Sequence, residues 1–321
     1  MIHVNNLCKY FNGIKAVDGI SFSVEKGEIF GFLGPNGAGK TTTIDVLCTL
    51  TRPTSGTASV NGYSIREHPD DVRRSIGLIF QDPSLDDRLT AEENLDFHGM
   101  IYDVPKSIRE EKKETLLKMV ELWNRKKDQV KTFSGGMKRR LEIARGLLHQ
   151  PKILFLDEPT LGLDPQTRSH IWKYINHLRD ESQMTIFMTT HYMDEAENCD
   201  RIAIIDHGKI VAIDTPDNLK KRVGGDIITI RTTDDEKAED EIGTKYHLQV
   251  RRDSKGIHLE IENSEEFIPK FISSFTTHIN SINLRRPTLD DVFLKLTGHE
   301  IRDEEGSAKE RLKQHMKMRG R

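Results

Sequence analysis

Nowhere in the 321 residues does an uninterrupted apolar run approach the roughly 18 residues needed to cross a bilayer. The opening stretch, MIHVNNLCKYFNG, has neither the basic start nor the apolar core of a secretory signal. Together these absences predict a chain that is soluble by itself and meets a membrane only through a partner. Cysteine is scarce: Cys8, Cys48 and Cys199 show no metal-ligand spacing, and three is an odd number for a disulfide framework. A reducing compartment is the simplest reading. A strong net charge is also missing, with Lys and Arg totalling 48 against 51 Asp and Glu, a formal charge of -3. That balance gives no global pull toward nucleic acid, although local basic patches remain open.

What is present suits one large α/β domain plus a smaller one. Residues 1–30 alternate as short strands (IHVNNL, AVDGISFSV, GEIFGFL), and a Gly-rich turn leads into the helically spaced TTTIDVLCTL. The later apolar runs SIGLIFQ (75–81), ILFLDE (153–158), TIFMTTH (185–191) and RIAIID (201–206) alternate with helical stretches. Such continuous runs predict a parallel sheet covered on both faces. The charged span 90–131 reads as helical, with Thr90 and Glu93 in capping-box relation. It predicts a helical subdomain at about 82–150, inserted into the α/β core. Asp206-His207-Gly208-Lys209 predicts a hairpin turn, with Gly208 supplying a positive φ.

From about Gly224 the composition changes. DIITIRT, YHLQV and GIHLEIE alternate as half-exposed strands, followed by a helix over 265–275 and a strand over 279–285. The expected division is a domain over 1–222, a small α+β domain over 224–298 and a charged tail over 299–321. The tail, ending in KERLKQHMKMRGR, reads as solvated and partly disordered. Attraction to an anionic membrane surface is the alternative.

Gly34-Pro35-Asn36-Gly37-Ala38-Gly39-Lys40-Thr41 fits G-x-x-x-x-G-K-[ST], a phosphate-binding loop, and continues into Thr42. An apolar strand precedes it and a helical pattern follows, as the motif requires. Glycines let successive N–H groups turn inward, and the helix start adds partial positive charge. Lys40 supplies a mobile cation for β- and γ-phosphates, and the Thr41 hydroxyl suits Mg²⁺. At the far end of ILFLDE, Asp157 and Glu158 stand at the sheet edge where ligands bind in open α/β folds. Asp157 is expected to hold Mg²⁺, and Glu158 to polarise an attacking water as general base.

A phosphate loop alone leaves GTPases, kinases, helicases and motors open. Phe133-Ser134-Gly135-Gly136-Met137 narrows the choice, because it opens the helical run KRRLEIARGLL. Ser134 suits an N-cap, and the glycines admit a close ligand, which makes a second helix start fit for anions. In these residues the chain resembles the ATP-binding cassette (ABC) ATPases, whose signature is usually written LSGGQ. The resemblance covers at least residues 1–220, with the motifs in the family's order. It implies that Phe11, beside Tyr10, stacks on adenine. It further implies that Gln81 senses Mg²⁺ and the lytic water in the loop facing a membrane subunit. Asp164 is expected in the dimer-contact loop, and His191 on the γ-phosphate.

In that family two chains sandwich two ATP molecules, each site completed by the other chain's signature, so a homodimer is expected. Phe133 and Met137 depart from the signature, and Leu161 stands where Ser is common. Ser134 and Gly136, the expected phosphate contacts, are present. The stretch LEIARGLLHQPKILFLDEPTLGLDPQTR and the later RPTLDDVF resemble the daunorubicin-resistance-type branch. That branch implies a separate ABC-2-type integral membrane permease, export of a drug, lipid or polysaccharide, and a peripheral place on the cytoplasmic face of the membrane. The competing reading is a soluble cassette ATPase acting on DNA or the ribosome. Such proteins carry long coiled coils, zinc modules or two cassettes, and this chain has a single cassette with a short insert.

Overall fold

The computed structural model describes residues 1–82, 84–253 and 256–298. The expected tail over 299–321 lies outside the described residues. Two compact units divide the chain, one over Met1–Ile213 and one beginning at Asp214.

In the first unit the strands are β1 (Ile2–Phe11), β2 (Ile14–Val24), β3 (Ile29–Leu33), β4 (Ser55–Val60), β5 (Tyr63–Ser64), β6 (Ile76–Ile79), β7 (Ile153–Asp157), β8 (Thr185–Thr190), β9 (Arg201–Asp206) and β10 (Lys209–Asp214). The helices are α1 (Lys40–Leu47), α2 (Pro69–Ser75), α3 (Ala91–Ile101), α4 (Lys106–Met119), α5 (Gly135–Leu147), α6 (Pro165–Ser182) and α7 (Met193–Ala196). Six strands form a sheet in the order β10-β9-β3-β8-β7-β6, and β9, β3, β8, β7 and β6 pair in parallel. Every residue of β3, β7 and β8 is buried, which explains why their runs show no alternation. A second sheet, β2-β1-β4-β5, is antiparallel. The two sheets share a core: Phe22 of β2 stacks on Phe30 of β3 with ring centroids 5.5 Å apart. Each such buried ring contributes about 2 kcal/mol.

α3 starts at a capping box. Thr90 Oγ1 accepts the Glu93 N–H at 3.2 Å, and the Glu93 carboxylate accepts the Thr90 N–H at 2.7 Å. The β9–β10 turn uses two positive φ values, 45° at His207 and 75° at Gly208, where the residue pattern pointed to Gly208 alone.

The second unit contains α8 (Pro216–Val223), β11 (Asp226–Thr232), α9 (Asp235–Glu241), β12 (Val250–Asp253), β13 (Gly256–Ile261), α10 (Ser264–Ser274), β14 (Ile279–Arg285) and α11 (Leu289–Thr297). Its sheet is antiparallel in the order β12-β13-β11-β14, a split β-α-β-β-α-β arrangement. α8 belongs to this unit, so the unit starts ahead of the expected 222–224 division. YHLQV is not a strand. The chain winds a wide turn over Ile242–Tyr246, leaves it through His247 at φ 55°, and becomes extended only at Val250. Tyr246 packs on Phe271 at 5.1 Å, and that packing overrides the alternation.

Candidate active site

β3 feeds the loop 34–39, and α1 begins directly behind it at Lys40. A Cβ at Gly34 would lie 2.3 Å from the Ile205 carbonyl oxygen, and one at Gly39, at φ 104°, 2.2 Å from that of Ala16. Only glycine fits there. Gly37, at φ 81°, faces open space, so a ligand can approach the backbone closely. The first N–H groups of α1 have no partner within the helix and supply an anion cradle. The buried Lys40 ammonium donates to the carbonyls of Gly34 at 2.8 Å and Pro35 at 3.1 Å.

β7 and β8 end beside this loop, with Asp157 opposite Thr189 in register. The Asp157 carboxylate accepts a hydrogen bond from the Thr189 hydroxyl, and the Thr41 hydroxyl lies near it. Burial raises its pKa, and these two hydroxyls pull it partly back. Glu158 sits at φ 45°, an uncommon conformation for a residue with a side chain, held by N–H bonds to the Thr189 carbonyl at 3.2 Å and hydroxyl at 3.1 Å. Its Oε1 lies 3.2 Å from Lys40 Nζ and 3.3 Å from His191 Nδ1. Burial alone would raise the Glu158 carboxyl, but His191 and Lys40 outweigh it and hold the group below its usual value. Burial also lowers the Lys40 ammonium, against the attraction of Glu158.

Lys40, Thr41, Thr42, Gln81, Glu158 and His191 line one cavity of about 410 Å³. The structure thus brings together residues far apart in sequence. Near the loop, the Thr41 hydroxyl, the Asp157 carboxylate and the Gln81 amide are all hard oxygen donors, and this set fits Mg²⁺. Phe11 lies outside that lining. It is 45% exposed with the Lys9 ammonium 4.5 Å from its ring centroid, whereas the Tyr10 hydroxyl is tied to Asp18 at 3.0 Å.

Ser134, Gly135 and Gly136 also stand apart from the cavity. Ser134 caps α5 by accepting the Met137 N–H at 3.3 Å. A Cβ at Gly136 would meet Thr167 Cγ2 at 2.5 Å, so packing of α5 against Thr167 already demands a glycine here. Asp164 caps α6, accepting the Thr167 N–H at 2.9 Å and its hydroxyl at 2.6 Å. Sequence reasoning missed two contributors. Thr189 fixes both carboxylate residues, and the only hint was a hydroxyl at a strand end facing the acids. Arg139, buried in α5, donates to the Asp157 and Pro159 carbonyls at 3.0 and 2.7 Å. Its hint was a charged i, i+3 pair with Glu142 on an apolar helix face.

Residues 17–161 match the family described as ABC transporter, and 215–297 match the ATP-binding protein DrrA1-3-like C-terminal domain. The chain is 39% identical to the daunorubicin/doxorubicin resistance ATP-binding protein DrrA of Streptomyces peucetius, over 94% of each chain. It is likewise 39% identical to the linearmycin resistance ATP-binding protein LnrL of Bacillus subtilis (strain 168), over 94% of this chain and 100% of that one. It is 37% identical to the Nod factor export ATP-binding protein I of Ralstonia nicotianae, over 94% and 95%. A dimeric ATP-binding cassette in a post-hydrolysis state, bound to ADP and Pi, superposes with a TM-score of 0.62 at 28% identity, covering 67% of this chain and 98% of that one. A sheet edge that gathers a phosphate loop, two acids, a glutamine and a histidine, and near full-length identity to these proteins, lead to one assignment: the chain belongs to the ATP-binding cassette ATPases of ABC transporters.

Proposed function

We propose that two copies of this chain power export through a separate ABC-2-type permease, with Glu158 as the general base of ATP hydrolysis. The observation that carries the reading is the single cavity where Lys40, Gln81, Glu158 and His191 meet. On nucleotide binding, Lys40 exchanges the Glu158 carboxylate for phosphate oxygens. Glu158 is then free to accept the proton of the attacking water, while His191 and Gln81 orient the γ-phosphate and that water. Thr41, Asp157 and Gln81 would hold Mg²⁺, which supplies charge neutralisation when bound. Phe11 offers its exposed ring to adenine. Ser134, Gly135 and Gly136 have no use in their own chain's cavity, which supports their reaching the phosphates of a second copy across Asp164.

Coupling to a permease is supported by a second, largely apolar cavity of about 460 Å³ lined by Leu50, Phe80, Phe97, Ile101 and Tyr102. Phe97 and Ile101 are 57% and 61% exposed, and such a patch on a soluble domain marks a partner's seat. No helix among the described residues is long and apolar enough to cross a membrane, so the reading places the chain peripherally on the cytoplasmic face. The resistance and export proteins it resembles favour a drug-like, lipid or polysaccharide cargo. The test is coexpression with a candidate permease. The chain should copurify from membranes, and Phe97→Asp should release it without loss of basal ATPase activity. Recovery only with ribosomes or DNA overturns the reading.

A further inference from the structure

The sheet of the second unit has two unlike faces. Ile228, Ile230, Leu259 and Phe271 pack into a core on one of them. On the other, strand register sets a single polar row. Arg251 of β12 stands opposite His258 of β13, His258 opposite Thr229 of β11, and Thr229 opposite Asn283 of β14. Directly opposed residues share a face, so four hydrogen-bonding side chains cross all four strands in line. His258 is anchored within the row, with Nδ1 3.0 Å from Thr229 Oγ1 and Nε2 2.9 Å from Asp253 Oδ1.

An outward sheet face is ordinarily an open, solvated surface. This one floors a cavity of about 1470 Å³ whose lining also includes Lys221 of α8 and Lys295 of α11. Six Lys and Arg line it against three Asp and Glu. Three of the six, Arg222, Arg252 and Arg285, pair with Asp214, Glu239 and Asp291 outside the lining, which leaves Arg251 and Lys221 among the cations that can meet a ligand. Two of the three carboxylates are already engaged: Asp253 faces His258, and Glu260 accepts the Gly225 N–H at 3.2 Å. Glu262 is the third. Arg251 projects into this space with a planar fork of donors, the geometry that grips phosphate through paired bonds.

We propose that this concave face binds a phosphate monoester, gripped by Arg251 and Lys221 beside the anchored His258 ring, and so makes the C-terminal unit a ligand site separate from the nucleotide cavity. The same chemistry is offered by a soluble phosphorylated metabolite and by the headgroup of phosphatidic acid. The test uses the full chain with saturating Mg-ADP, which keeps the nucleotide site filled. Glycerol 3-phosphate is titrated while the His258 ring signals, identified by their loss in His258→Asn, are followed by NMR. In parallel, the chain is sedimented with phosphatidylcholine vesicles that contain or lack phosphatidic acid. A saturable shift or phosphatidic-acid-dependent sedimentation is expected. Arg251→Gln and Lys221→Gln, each checked for an unchanged melting temperature, should weaken it at least about tenfold. Response to glycerol 3-phosphate alone assigns the site to a soluble ligand, and response to vesicles alone to the lipid. Three results overturn the proposal: neither probe binds, both variants bind as tightly as wild type, or Arg251→Gln alters only self-association, which would make this face a contact with a second copy.

Discussion

The Lys40 ammonium lies 3.2 Å from the Glu158 carboxylate, and both side chains are buried. In the proposed mechanism one acts on phosphate and the other on water, and their pairing would couple the two tasks. Once a phosphate claims the lysine, the carboxylate is left with His191 and an unmet demand for a proton. The low pKa direction of Glu158 keeps it ionised at neutral pH, as a base must be.

Glu158→Gln keeps the shape and removes both the charge and the basicity. ATP binding should persist, because the phosphate cradle is backbone and Lys40. Turnover should fall by about a hundredfold or more. With ATP present, gel filtration should show the dimer accumulating. Turnover at the wild-type rate would remove Glu158 from the role of base.

Gly136→Ala separates two reasons for a glycine in the signature. If packing against Thr167 is the constraint, the added methyl pushes α5 from α6 and lowers both the melting temperature and the ATPase rate, and adding Thr167→Ser, which removes the Cγ2 methyl at 2.5 Å, restores both. If ligand approach alone matters, the double variant melts like wild type but stays inactive. Recovery of activity in the double variant therefore decides for packing.

Much of the loop and sheet architecture is legible in the sequence, and the reason is physical. Phosphate chemistry demands particular residue types at fixed spacing, so 34–41, Asp157, Glu158 and the Ser134 helix start show in one dimension. Buried parallel strands are equally visible, because both faces of β3, β7 and β8 must be apolar. What stayed hidden depends on contacts between distant residues. Thr189 and Arg139 matter through atoms more than 15 residues away. YHLQV alternates like a strand, yet the aromatic packing of Tyr246 turns it aside. α8 reads as a continuation of the first domain, and only its place in the second unit reassigns it.

The apolar cavity proposed for the permease has a pH signature. His98 lies within it, its ring 4.7 Å from that of Tyr102, and burial, followed by the nearby Arg145 charge, lowers its pKa to about 3. An unfolded histidine titrates near about 6.5. Between those values the unfolded chain binds a proton that the folded chain refuses, so stability falls as pH drops below about 6.5, by at most about 1.4 kcal/mol per unit. From pH 7 to 5, thermal melts of wild type should lose about 1–2 kcal/mol more than those of His98→Gln. Equal losses would mean that His98 titrates normally.

Arg139 joins three parts of the machinery through one buried guanidinium. It donates to the Asp157 carbonyl that ends β7 and the Pro159 carbonyl just past it, to the Phe80 carbonyl beside Gln81, and at 3.2 Å to Glu142. Glu142 is fully buried and also accepts the Ser84 N–H at 2.8 Å. Arg139→Met should therefore strand three carbonyls and weaken the neutralisation of a buried carboxylate, costing about 3 kcal/mol. In a domain of this size that is a fall in melting temperature of about 6–12 °C. Arg139→Lys should recover only part of the loss, since an ammonium cannot fork toward separate carbonyls. Adding Glu142→Leu to Arg139→Met should regain stability, because the stranded carboxylate is gone, but not ATPase activity, because the link from α5 to Asp157 and Phe80 stays broken. Melting curves and turnover measured below both transitions separate these effects. A single Arg139→Met variant that melts and turns over like wild type would show that the guanidinium contributes nothing to either.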